Sequence, residues 1–482
     1  MRLFVFFAVL LLSGSGLIAQ KKWDLKSCVE HAMQNNISVK QTDLQSKIAE
    51  LTYKQSKLSL FPNANLATNG AFNSGNNQDP TTFTRVTQNY YSAGMQLQTS
   101  ADIFNFFSKR NTIASNEWEL LAAKANVNKV KYDIALSTAN AYLQVLLAKE
   151  QQKIAGAQIE QTTLQLQKTR KQVNAGVLPE LNATQLEAQL AADSGNYIAS
   201  KGNVEQAILS LKTLMNIDAG EAFDIETPPV ESIPMESIAD LQPEYVYSEA
   251  LKNQPQQLGN EFRIKAAQKS ISASKAARYP ALSAFGSLGT NYLAFDKRPI
   301  YEKIITGYTS TGLVANAGGG VLYDVQMPVF VNGNVIDFIR AGSFGEQLKN
   351  NFRKAVGLNL SIPIFNGWSA SSQYERNKLN LSRLQLQKEQ DNQKLKQDIY
   401  QAYTAAMVAL ERNNATQKAV AANEKAYDFA GKRYNIGALS TYDFIATQNN
   451  LLRAKLEYSI SRFDYVFKMK VLEFYKGAGL KL

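Results

Sequence analysis

The chain has 482 residues, room for several domains or one extended one. Its only cysteine, Cys28, forbids an internal disulfide, and with His31 as the only histidine no clustered zinc site can be built. The formal charge of +11 is scattered among acids and glutamines, the pattern of a solvated helical surface rather than of a nucleic-acid interface.

The N-terminus reads MRLFVFFAVLLLSGSGLIAQ. Arg2, the apolar run 3–12 and the small-residue site ending at Ala19 predict a secretory signal peptide over residues 1–19. No later stretch approaches the ~18 continuous apolar residues of a transmembrane helix. Cys28 follows Leu25-Lys26-Ser27, a faint likeness to a lipidation box. Four charged residues, Lys21, Lys22, Asp24 and Lys26, separate it from the apolar run. An unmodified thiol in the first helix is expected.

Residues 63–73 and 95–103 alternate apolar and polar with a period of two, as strands do. Leu66 and Phe72 lie on one face of the first, and Met95, Leu97 and Ile103 on one face of the second. A short polar loop, about 74–91, joins them. From Ser108 to Asn174 there is no proline, and Gly156 is the only glycine. This span predicts one helix of ~100 Å at about 1.5 Å per residue. Ile113, Leu120, Val127, Ile134, Ala141, Ala148 and Ala155 mark a heptad seam. Leu136, Leu143 and Leu147 fall off it, so neighbours on both sides are expected. The helix ends at a tip carrying Asn174, Gly176 and Leu178, and a second helix follows over about 181–215. Gly176 stands where a left-handed C-cap favours glycine.

The segment 227–243 holds four prolines and reads as an extended linker. Beyond it the whole order returns. Strand patterns cover about 282–292 and 356–364, although Phe285 breaks the alternation. A second breaker-free helix runs from Ser369 to Asn435, with Gly431 as its only glycine. A second tip carries Asn435, Gly437 and Leu439, and a helix over about 442–475 closes the chain. Residues 20–226 and 244–482 are thus expected to be two copies of one unit. LFP (60–62) matches RYP (278–280) at an offset of 218, whereas IFN (103–105 and 364–366) and the tips recur at 261. The 43-residue excess falls within about 293–355, rich in Gly, Asn and Tyr, and is expected to be a long extracellular loop.

Four strands of about ten residues can cross a tilted membrane sheet but cannot close a barrel. The chain is therefore expected to assemble. At this point it resembles the TolC-like outer-membrane efflux proteins. The likeness is carried by WDLKSCVEHAMQNN (23–36), the LFP/RYP and IFN joints, and both tips, above all Arg433-Tyr434-x-x-Gly437 with Asp443 and Ala446. The resemblance implies a mainly α fold with a small β part. Long antiparallel coiled-coil helices would form a periplasmic α-barrel, and a homotrimer would complete a twelve-stranded barrel in outer-membrane lipid. It also implies the passive exit duct of a tripartite efflux or type I secretion system, with a periplasmic adaptor docked at the tips, an inner-membrane pump of RND or ABC type, and a pore constriction at Asn182, Tyr434 and Asp443. Asn182, Leu439 and Ala446 depart from the family's best-known member, which has acid, arginine and acid there, so its closing salt links are not reproduced. No cofactor is implied. A barrel-anchored adhesive or structural protein is the competing class, but it has no need of matched tips. An enzyme would need a convergent polar constellation, and no G-x-S-x-G elbow accompanies His31.

Overall fold

The computed structural model describes residues 22–78, 85–229, 233–295, 298–316 and 318–477. The expected signal peptide lies outside the described residues. In chain order the elements are α1 (Leu25–Asn35), α2 (Ile37–Leu58), β1 (Asn63–Gln78), β2 (Arg85–Phe104), α3 (Ser108–Asn174), α4 (Glu180–Met215), a 3-10 turn (Ile238–Asp240), α5 (Pro243–Asn253) and α6 (Pro255–Ala276). Then come β3 (Ala281–Phe295), β4 (Arg298–Asn316), β5 (Leu322–Ile339), α7 (Phe344–Asn350), β6 (Arg353–Ser361), α8 (Ser369–Asn435) and α9 (Thr441–Lys476). They divide into two units. One is helical, and the other, Ser56–Arg110 with Ala273–Ser372, holds the strands.

In the helical unit, α3 and α8 both have 67 residues, and α4 and α9 both have 36. The starts of each pair lie 261 residues apart. Along α3, Leu120, Val127 and Ala148 of the heptad seam are buried, and so are Ala135, Ala139, Leu143 and Val145 away from it. The helix middle is therefore covered on more than one side, which the off-seam leucines anticipated. One core joins Cys28 and Ala32 of α1 to Tyr142, Val145, Leu211 and Val466. A second joins Val246 and Ala250 of α5 to Ile399, Ala406, Met469 and Leu472. Val246 and Ala250 stand 218 residues after Cys28 and Ala32, and all four are fully buried.

Cys28 thus fills the place that a valine fills in the second core, as a small apolar residue. The chain before it is built into the fold. Trp23 N–H donates to the Asp224 carbonyl at 3.0 Å, and its carbonyl accepts from Glu226 N–H at 2.9 Å. The Trp23 ring packs on Phe223 and on the edge of His31, and the Asp24 carboxylate caps α1 through Ser27 N–H at 3.0 Å. Burial, with the Asp24 charge second, pushes the Cys28 thiol up from 9.0 to about 12. A raised thiol favours folding with the neutral form. That contribution is complete below pH 9.0 and lost as the pH climbs through about 12. Thiol reagents at neutral pH are expected to leave Cys28 unlabelled until the protein is denatured; mass spectrometry of native and unfolded samples checks this.

In the second unit β1, β2, β3 and β6 form one antiparallel sheet in that order. The register sets Leu66 beside Leu97 and Leu97 beside Leu288, Thr99 beside Gly286 and Gly286 beside Val356, and Ala284 beside Leu358. The opposite face aligns Asn65, Gln98 and Ser287. Val356 is 89% exposed and Leu358 67%. A soluble sheet covers its apolar face. This face is bare within the chain.

Phe285, the residue out of pattern, lies on the polar face over Gly357, where a Cβ would stand 2.8 Å from its ring. Gly357→Val must push the ring aside, and overpacking of this kind costs about 1–3 kcal/mol. The variant is expected to lower the melting point of the folded sheet. Adding Phe285→Ala should recover part of the loss, and heat-dependent gel mobility reads both.

Two expectations are corrected. β1 and β2 run on to Gln78 and from Arg85, so the loop expected at 74–91 is mostly strand. The region 293–355 is not a long loop. It contains the helix α7 and the strands β4 and β5, which pair as a two-stranded sheet of their own apart from the expected four-stranded one. The β4 stretch KIITGYTST and the β5 stretch VFVNGNVIDF are rich in β-branched and aromatic residues, which favour strands. Gly318, Gly319 and Gly320, all with φ between 80° and 95°, supply the turn.

Candidate functional site: the helical tips and the sheet

The two tips end their helices in the same way. Gly176 and Gly437 have φ of 74° and 73°. Val177 N–H donates to the Gln172 carbonyl, and Gly176 N–H to the Val173 carbonyl, both at 2.9 Å. At the second tip Ala438 N–H donates to the Arg433 carbonyl at 2.9 Å, and Gly437 N–H to the Tyr434 carbonyl at 3.0 Å. This pair of bonds is the Schellman motif, and it satisfies the last carbonyls of α3 and α8. Leu178 and Leu439 are half-buried, and Asn174 and Asn435 are exposed.

The returning helices start differently. Asn182 lies in the first turn of α4, and its N–H donates to the Pro179 carbonyl at 3.1 Å. Pro179 gives α4 no side-chain cap, whereas Ser440 caps α9. Asp443 N–H donates to Ser440 Oγ at 3.0 Å, and the Ser440 hydroxyl donates to Asp443 Oδ2 at 2.7 Å. The Asp443 carboxylate is exposed and, among the described residues, has no cationic partner. Its local work is to hold a helix start.

Tyr434, expected at the constriction, is built into the packing of the tips. It is 7% exposed and stacks on Phe444 at 4.7 Å, with Leu439 beside the pair. Its hydroxyl lies 3.1 Å from both Thr169 Oγ1 and Thr441 Oγ1. The phenol therefore ties the end of α3 to both helices of the second hairpin. Lys168 Nζ donates to Asn435 Oδ1 at 2.5 Å across the same seam. Deeper, the buried Asp193 accepts from Thr162 at 2.6 Å and from Gln189 at 2.8 Å. Thr162 in turn accepts from Gln448 of α9 at 3.0 Å. The tips are thus one connected assembly of two hairpins.

Sequence reasoning missed the exposed apolar residues that the tips carry: Val177 and Leu181 on the first, Ile436 and Tyr442 on the second. Leu181 and Tyr442 are 261 residues apart, so aligning the two copies would have flagged them. It also missed Arg170, paired with Glu180 and Glu187 across the first hairpin. That cluster is exposed and therefore weak and salt-screened.

The sheet carries aromatic residues at both ends of its strands. Phe61, Phe104, Phe107, Tyr279, Phe365 and Trp368 sit at the ends that lead to α2, α3, α6 and α8, and Phe72, Tyr91 and Tyr292 sit toward the other end. Phe106, Phe107 and Trp368 hold left-handed φ of 49° to 63° where strand turns to helix. From Tyr91 to Phe104 is ~40 Å along β2 at about 3.3 Å per residue, or roughly 30 Å of depth at a tilt of about 45°. That matches a bilayer core, with an aromatic girdle at each face. Among the described residues no helix is long and apolar enough to cross a membrane. Among the described residues no group of three His, Cys, Asp or Glu could hold a metal.

Comparison with known proteins agrees with this geometry. The protein-family model described as outer membrane efflux protein matches residues 28–216 and 246–465. The chain is 20% identical over 461 residues to the outer membrane efflux protein BepC of Brucella suis, covering 95% of this chain and 87% of that one. It is 20% identical over 466 residues to the outer membrane protein TolC of Escherichia coli K12, covering 94% and 82%. It is 23% identical over 369 residues to the pyoverdine export outer membrane protein OpmQ of Pseudomonas aeruginosa, covering 76% and 65%. Among solved structures it shares the fold of CusC, with a TM-score of 0.72 at 17% identity over 94% of this chain and 91% of that one. It also shares the fold of VceC of Vibrio cholerae, with 0.70 at 16% identity over 95% and 97%. With two matched segments that together take in most of its length, the chain belongs to the outer membrane efflux protein family.

Proposed function

We propose that this protein is an outer-membrane efflux duct, and that three copies build the conduit. The observation that carries the reading is the sheet: one layer, one bare apolar face, aromatic girdles about a bilayer apart, and outer edges on β1 and β6 that have no partner strand among the described residues. In lipid an open edge leaves backbone groups without hydrogen bonds, so the sheet must close on copies of itself. Two copies would give eight strands and a filled interior, whereas three give twelve and room for a lumen. The polar face then lines the passage. In this reading the chain does no chemistry. It conducts passively, and an inner-membrane pump of RND or ABC type supplies the energy.

The exposed tip residues Val177, Leu181, Ile436 and Tyr442, with Asn174 and Asn435 beside them, are the surface offered to a periplasmic adaptor. The matched tips have no place in a barrel-anchored adhesin. Native mass spectrometry in detergent tests the assembly, and copurification of the tagged protein with adaptor and pump tests the system. A monomer that keeps barrel-like protease resistance would refute the first, and a trimer that never brings an adaptor would refute the second.

Three copies of Asp443 around one axis would favour cations at the narrowest point. Asp443→Asn keeps an oxygen for Ser440 and removes the charge. Planar-bilayer recordings should then show weaker cation selectivity with trimer stability little changed. Unchanged selectivity would leave Asp443 with its capping role alone.

A further inference from the structure

The strands of the sheet are unequal. β6 has 9 residues, against 16 in β1, 20 in β2 and 15 in β3. It pairs with β3 only along Ala281–Gly289. Beyond Gly289, β3 has β2 on one side and, among the described residues, no strand on the other. There α7 takes over. The Gln347 carboxamide accepts from Leu293 N–H at 3.0 Å and donates to the Leu293 carbonyl at 2.8 Å. Those are the two bonds a strand residue would make to its neighbour. The Thr290 hydroxyl donates to the Leu348 carbonyl at 2.8 Å, and the Asn351 amide donates to the Asn291 carbonyl at 2.7 Å. Phe344 meets the Tyr292 ring edge-on at 5.0 Å. Thus α7 stands in the lane of β6, one strand out from β3, just beyond Arg353.

Closing a ring sets β6 of one copy beside β1 of the next. Nine residues cannot pair with sixteen, so at least seven residues of β1 meet no β6 strand. β1 starts after α2 and β6 ends before α8, so the two strands align at that end. The uncovered part of β1 is then its far half, from about Ala71. The lane beside it is the one that α7 already occupies. An uncovered edge there would recruit any passing strand.

We infer that α7 of each copy packs against the far half of β1 in the next copy, so that one short helix closes two edges: its own β3 and its neighbour's β1. The inference rests on the ring-closing reading above. The surfaces suit each other. Phe344 is 57% exposed and Phe352 is 47%, and Lys349 and Asn350 are exposed beside them. β1 offers Phe72, 57% exposed, with Asn73 and Ser74 next in line. The occupant is a second copy because the lane exists only as the continuation of the β6–β1 seam. β4 and β5, inserted between β3 and α7, are then rooted at every subunit boundary. The 43-residue excess would be a clasp between subunits rather than a free loop.

Benzoylphenylalanine at position 344 or 352, photolysed in outer membranes of expressing cells, tests this. The expected product is a covalent dimer and trimer ladder, with the attachment mapped by mass spectrometry to residues 70–78 of another copy. A second test joins Asn350→Cys to Ser74→Cys. The native thiol is buried, so oxidation should give inter-subunit disulfides with the pair and none with either single variant. Native mass spectrometry on the same samples separates the two ideas. A trimer whose probes attach only to lipid or to their own chain, and whose cysteine pair stays reduced, overturns the clasp and leaves the duct standing. A sample with no trimer overturns both.

Discussion

Export is expected to fall sharply in Gly437→Val and in Gly176→Val, while the amount of folded protein in the outer membrane stays normal. Nothing lies within 4 Å of a Cβ built at either glycine, so the penalty is not a clash. It is the φ of 73° and 74°, which a β-branched residue adopts only at a cost of about 1–3 kcal/mol. That cost is too small to unfold the duct. It is large enough to unwind the last turn of α3 or α8 and break the Schellman bonds. The exposed Val177 or Ile436 would then move. If the tips receive an adaptor, a displaced apolar contact uncouples duct from pump. Cellular retention of the compounds that the wild-type protein exports, measured beside outer-membrane protein levels, checks this. Normal export in both variants would remove the tips from the docking surface. Gly176→Ala and Gly437→Ala should fall between, since alanine tolerates the left-handed region better than valine does.

The long helices were legible because helix breakers are rare and local. Nothing between Ser108 and Asn174 interrupts a helix except Gly156, and Gly176 stops it where a left-handed residue is needed. The sheet was legible in part. Alternation located β1, β2, β3 and β6 because one face meets an apolar medium and the other a polar one. It failed at β4 and β5, where glycine, asparagine and tyrosine among the β-branched residues read as loop. Phe285 breaks the alternation because it packs over Gly357, a relation between strands that no single strand carries. The tips divided in the same way. Gly176 and Gly437 act through their own backbone, so their positions could be read. Tyr434 acts through Thr169, Thr441 and Phe444, partners brought together only by the packing of two hairpins. Gln347 was invisible for a related reason: a carboxamide that replaces a strand looks like any exposed polar side chain.

Lys470→Met is expected to be among the most damaging single substitutions in the helical unit. In the sequence, Lys470 and Glu473 look like an ordinary solvated pair on a helix. In the structure their side chains are only 4% and 3% exposed, with Nζ 2.7 Å from Oε2. The flanking Met469 and Leu472 are fully buried in the second core. The other Glu473 oxygen, Oε1, accepts Glu236 N–H at 2.8 Å, and Lys476 holds the Glu236 carboxylate at 2.7 Å. Glu473 thus pins the chain entering the second repeat onto α9. Removing the lysine leaves a carboxylate in the core without its cation, a change that costs about 3–5 kcal/mol. Glu473→Gln added to Lys470→Met should recover much of that, because the amide is neutral and its oxygen still serves Glu236 N–H. Glu473→Leu added instead should recover less, since that N–H then loses its acceptor, a loss of about 1–3 kcal/mol. Unfolding midpoints of the purified protein and its three variants give the order. Wild-type stability in Lys470→Met would mean that the pair is solvated after all, and that the linker is held by Lys476 and Glu236 alone.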